Sequence, residues 1–148
     1  MRLHTASEII SFTKELESQS AKFYEDLSQA YTQDEDVFLR FAKENRRNII
    51  QIERTYYGVI TDAIEGCFAF DIESDEYTFE TTLAEKTGYS YALNKAAEIE
   101  GKMIKFYSDA VEQSMPLMAD IPRAFKIIAK KRDERRLKLK SLLEKGDQ

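Results

Sequence analysis

Apolar residues recur at helical spacing in four stretches of the chain, with polar residues filling the positions between them. In the first, Thr5 and Glu8 form a capping-box sequence, and Ile10, Thr13, Leu16, Glu17, Ser20, Ala21, Tyr24 and Leu27 share one broad face as far as Tyr31. The second stretch starts from Asp34 as a capping residue and turns Phe38, Phe41, Ala42, Asn45, Asn48, Ile49 and Ile52 inward, running toward Glu65 before Gly66. A third, from Ser90 to Gln113, carries Leu93, Ala96, Ala97, Glu100, Ile104, Tyr107 and Val111, and stops ahead of Pro116. The fourth opens at Asp120-Ile121-Pro122, where proline suits a first turn, and carries Phe125, Ile128, Ala129, Leu137, Leu139 and Leu142. Four long helices are predicted.

Between the second and third stretches lie residues 66–89, too many for a tight helical hairpin. Their aromatic pieces, Cys67-Phe68-Ala69-Phe70 and Tyr77-Thr78-Phe79, suit an extended segment tacked along the bundle. Extended chain at about 3.3 Å per residue can return along a helix of this length. The prediction is an all-α single domain over residues 1–148: two helical hairpins joined by a long crossover, with the second and third helices parallel.

Composition fits this picture. Of 148 residues only 5 are glycine and 2 proline, while 33% are charged, which favours helices over a turn-rich β architecture. The 17 phenylalanines and tyrosines supply core material, and the formal charge of -5 disfavours indiscriminate nucleic-acid binding. A lone cysteine, Cys67, can form neither an intrachain disulfide nor a thiolate zinc cage. The opening Met1-Arg2-Leu3-His4-Thr5 carries no apolar leader, and no run approaches a membrane span, so the expectation is a cytoplasmic protein without a membrane partner.

The chain also repeats itself. Glu17, Ala21, Phe23 and Tyr24 align at an offset of 83 with Glu100, Ile104, Phe106 and Tyr107; Phe38, Phe41, Ala42 and Lys43 align at 87 with Phe125, Ile128, Ala129 and Lys130. Two matches in the same order imply a duplicated helical hairpin. With a glutamate preceding a Phe-Tyr pair in helices one and three, and a Phe-x-x-apolar-Ala opening in helices two and four, the chain resembles the ferritin-like superfamily, and within it the rubrerythrin-type members.

That resemblance implies a di-iron centre in which each hairpin contributes a lone Glu and a Glu-x-x-His, six inward ligands in all. Glu17 and Glu100 match the lone glutamates. Where the family carries Glu and His, this chain has Asn45 and Asn48 in the second helix and Arg132 and Arg135 in the fourth. Guanidinium groups are permanent cations and cannot ligate iron. The chain's single histidine, His4, precedes the helices. The reading is a degenerate di-iron site, with Glu17, Asn45, Asn48, Glu100, Arg132 and Arg135 as vestigial positions and Tyr24 and Tyr107 behind them. Charge supports it: two glutamates against two arginines sum to zero, as a buried site requires. No cofactor and no metal are expected, Glu17 and Glu100 being the ligands if any remain; di-iron would be the cofactor if the family activity persisted.

Several features have plainer readings. Asp71, Glu73, Asp75 and Glu76 look like a calcium loop but lack its glycine and closing glutamate, which leaves a solvated linker. His4 reads as a surface residue near a frayed terminus. Tyr56, Tyr57 and Phe68 read as an outer face available for self-association, giving a homodimer or contact with another protein. Three functions therefore stand: a metal-free bundle that binds a partner or itself, a rubrerythrin-type peroxidase or ferroxidase implied by the resemblance, and a small-ligand binder using the polar centre. No catalytic residue is assigned, and the chain is read as a binding protein rather than an enzyme.

Overall fold

Thr5 starts the first helix by closing a full capping box: its hydroxyl accepts the Glu8 amide at 3.1 Å, and the Glu8 carboxylate accepts the Thr5 amide at 3.0 Å. In the computed structural model, which describes residues 1–59, 70–83, 88–114 and 120–146, this helix, α1, spans Ala6–Ala30. A 3₁₀ turn at Thr32–Asp34 leads straight into α2, Glu35–Val59. The other helices among the described residues are α3, Tyr89–Ser114, and α4, Asp120–Gly146. The protein is an all-α four-helix bundle, in which α1 packs extensively on α2 and α3 on α4.

Each helix buries the stripe its 3.6-residue period defines. Along α1 this is Ile9, Leu16, Phe23, Tyr24 and Leu27, and along α3 it is Leu93, Ala96, Ile99, Met103, Phe106 and Tyr107. The equivalent halves pack alike. Phe23 meets Tyr24 edge-on at 5.5 Å between ring centroids, and Phe106 meets Tyr107 edge-on at the same distance. Tyr24 stacks on Phe38 of α2 at 6.4 Å, as Tyr107 lies against Phe125 of α4 at 5.7 Å. Such ring pairs contribute about 0.5–1.5 kcal/mol each beyond the area they bury.

Outside the helices, Arg2–Leu3 (β1) pairs antiparallel with Ile72–Glu73 (β2), with Leu3 opposite Ile72 and both buried. A two-residue ladder carries no period, so the sequence reading missed it. It also corrects the reading of His4, which is half-buried and shares a 3.2 Å hydrogen bond between its Nδ1 and the Phe70 carbonyl oxygen. Tyr77 donates to Asp109 of α3 at 2.5 Å, Gln113 near the end of α3 accepts the Asp71 amide at 2.7 Å, and Tyr89 at the start of α3 donates to Asp34. Asp34 thus sits in a turn that runs into α2 and holds another helix.

Two further expectations change. Tyr56 is buried at 8% exposure and belongs to the core, whereas Tyr57 is 69% exposed. Leu137, read as inward, is 63% exposed; it lies two residues past Arg135 and so points well away from the stripe of Ile128, Arg132, Arg135, Leu139 and Leu142. Cys67, Phe68 and the expected run of α2 to Glu65 lie outside the described residues. Among those residues no helix is long and apolar enough to cross a membrane.

Candidate functional site: a buried polar centre

Polar side chains from all four helices converge where the helices face one another, within stripes that are mainly apolar. Glu17 of α1 and Glu100 of α3 are fully buried, as are Asn45 of α2 and Arg132 of α4; Asn48 and Arg135 are 4% and 3% exposed. Helical spacing explains the arrangement, since Asn45/Asn48 and Arg132/Arg135 are i, i+3 pairs that present both side chains to one side.

Arg132 is the hub. Its Nη2 and Nε donate to the two oxygens of Glu17 at 2.8 and 3.3 Å, while Nη1 donates to Glu100 at 2.7 and 2.8 Å. One planar guanidinium therefore clamps both carboxylates, using the fork geometry that lysine lacks. Nη2 also reaches the Asn45 Oδ1 at 3.1 Å, and the Asn45 amide donates to the Ser20 hydroxyl at 2.8 Å. Asn48 donates to Glu17 over a long 3.5 Å.

Arg135 closes the α2 side. Its Nη1 donates to Asn45 Oδ1 at 2.6 Å and to Glu100 at 3.2 Å; its Nη2 donates to Glu44 at 2.9 Å and to the Phe41 carbonyl at 3.3 Å. The guanidinium lies over the Phe41 ring at 4.6 Å and the Tyr24 ring at 5.4 Å. Tyr24 donates to Glu100 at 2.7 Å and Tyr107 to Glu17 at 2.5 Å. Both tyrosines are wholly buried and touch the carboxylates directly, so they are structural and polar at once.

Protonation follows from this packing. Burial acts to raise the Glu100 pKa, but the charges of Arg132 and Arg135 outweigh it and hold the carboxyl below the usual range. Burial works to lower the Arg132 pKa, and Glu100 and Glu17 outweigh it, so its cation is held more firmly than usual. Burial first, and then the adjacent carboxylate, pushes both Tyr24 and Tyr107 well above the ordinary phenol value. At neutral pH Glu100 is thus a carboxylate, Arg132 a guanidinium and both tyrosines neutral phenols, and the formal charges of Glu17, Glu100, Arg132 and Arg135 sum to zero.

A di-iron centre does not fit these residues. The space between the two carboxylates holds the Arg132 guanidinium, which engages both oxygens of each, and the other positions offer amides and a second cation. Among the described residues no three His, Cys, Asp or Glu side chains gather as a metal-holding group. The structure thus brings together Glu17, Asn45, Asn48, Glu100, Arg132 and Arg135, with Tyr24 and Tyr107 against them. Ser20 was placed on the inward face of the first helix but not assigned to the site, and Glu44 was not singled out from the sequence. Ser20, i+3 from Glu17 on the same face, carried a usable signal; Glu44, on the flank beside the inward Asn45, carried none. Comparison with family models, curated proteins and solved structures finds no match to the chain.

Proposed function

We propose that the protein is a metal-free, ferritin-like bundle of two duplicated hairpins joined by a crossover, which acts by binding a partner protein or a second copy of itself. The observation that carries this reading is the Arg132 guanidinium forked between Glu17 and Glu100, a cation standing where the resemblance implies metal. The crossover is supported by the hydrogen bonds of residues 70–89. These tie Asp71 to the end of α3 and Tyr89 to the turn before α2, contacts expected of parallel α2 and α3. Self-association is supported by the exposure of Leu39, Ile50 and Tyr57 along one stripe of α2. The proposed setting is the cytoplasm.

Metal content after growth with abundant iron tests the first half of this reading. Less than stoichiometric iron is expected, and two tightly held irons per chain with a ferric oxo absorption band would restore the oxidoreductase reading. Light scattering tests the second half. A dimer is expected, and a monomer at high concentration would leave only partner binding.

A further inference from the structure

Outside the polar centre, α2 and α4 leave an open groove of about 420 Å³ between them. Five cations line it, Arg40 and Arg47 from α2 and Lys131, Arg135 and Lys138 from α4, against the carboxylates of Glu44 and Glu134. This local excess of positive charge runs against a chain whose formal charge is -5.

The cations are not consumed by internal pairing. Arg135 is bound to Glu44 and Glu100, but Arg47, Lys131 and Lys138 form no ion pair among the described residues, although Glu44 and Glu134 lie within a helical turn of them. Arg135 forms part of the wall with its side chain 1% exposed, and its Nε is buried without a hydrogen-bond partner. Phe41 fixes the guanidiniums on the α2 side, with Arg135 at 4.6 Å and Arg40 at 5.9 Å from its ring centroid. Arg135, already held in place, loses little freedom on meeting an anion.

We infer that this groove is a binding site for a small multivalent oxyanion, a diphosphate either free or carried by a nucleoside. The cations come from two helices, so a ligand with two linked charged groups engages both walls where a single phosphate reaches one. The volume falls within the range of small-molecule sites, about 300–1,000 Å³. The site is defined by its own lining and does not depend on the ferritin-like reading.

Calorimetric titration of the full chain with inorganic pyrophosphate tests this, with inorganic phosphate and ADP as parallel probes. Saturable binding at one site per chain is expected, tighter for pyrophosphate than for phosphate and weakened by added salt. Arg47→Gln and Lys138→Gln should each weaken it about tenfold, the effect of losing a charge-assisted hydrogen bond, while the unfolding midpoint stays in place. Glu134→Gln should tighten it. ADP binding more tightly than pyrophosphate identifies the nucleoside-borne form; equal affinity identifies the free oxyanion. Three results would overturn the inference: no saturable binding, an equal loss in Lys22→Gln on α1, or tighter binding of duplex DNA that the same two groove variants abolish.

Discussion

Tyr24 and Tyr107 are each hydrogen-bonded to the glutamate of the opposite hairpin: Tyr24 of α1 donates to Glu100 of α3, and Tyr107 of α3 donates to Glu17 of α1. Each tyrosine thus reaches across the bundle instead of along its own helix. Replacing either by phenylalanine keeps the ring packing and strips one donor from a buried carboxylate, which should cost about 1.5–3 kcal/mol. Urea denaturation of the two single variants measures this, and a wild-type midpoint for both would mean the hydroxyls contribute nothing to the fold.

Arg132→Ala should be far more damaging, about 3–5 kcal/mol, because it leaves Glu17 and Glu100 buried without their shared cation. Arg132→Lys should recover only part of the loss, since an ammonium cannot fork across two carboxylates. An exposed pair such as Lys22–Asp26 sets the contrast, its kind being worth at most ~1 kcal/mol. If Arg132→Ala unfolds with the urea midpoint of a Lys22→Ala control, the centre does not support the bundle.

Stability should fall at both ends of the pH scale. Glu100, held below the usual carboxyl range by Arg132 and Arg135 against its burial, binds its proton less readily when folded. Its contribution is complete above the unfolded value of about 4.3 and is lost as pH drops through the lower folded value. Tyr24 and Tyr107, raised by burial and the adjacent carboxylates, contribute fully below about pH 10 and lose that contribution as pH climbs above it. Unfolding midpoints across the pH range should show Glu100→Gln flattening the acid limb and Tyr107→Phe the alkaline one. Unchanged limbs would mean these groups do not govern them.

Converting Asn45 and Asn48 to Glu and His, together with Arg132 and Arg135 to Glu and His, should create a metal-binding protein. The four substitutions then present six ligands to one centre alongside Glu17 and Glu100. Elemental analysis of the quadruple variant checks this. A folded variant with no bound iron would count against the ferritin-like reading.

The six central residues were legible because the repeat offsets of 83 and 87 superimpose Glu17 on Glu100 and the Asn45/Asn48 pair on Arg132/Arg135. Helical period then aims both members of each pair inward. What the period does not encode is which helix a side chain touches. The crossing of Tyr24 to Glu100 was therefore hidden, and Glu44, on the flank of the stripe, could not be linked to Arg135 before the helices were placed. Leu137 misled through its apolar character alone, since its angular position is wrong for the core. Tyr56 misled in the opposite sense, because its neighbour Tyr57 takes the exposed position.

The uneven distribution of charge in the centre should favour pairing between the two unlike halves of the chain. Counting the buried groups and leaving out the partly exposed Glu44, the first hairpin brings Glu17 with two neutral asparagines, a formal charge of -1, and the second brings Glu100 with two arginines, a formal charge of +1. Two copies of the first half meeting face to face would bury -2, and two copies of the second would bury +2; only the mixed pairing is neutral. Despite their common pattern, the hairpins are thus complementary and not interchangeable. If two chains ever trade hairpins, each rebuilt bundle must still contain one of each kind, and separately produced halves should find the opposite half in preference to their own.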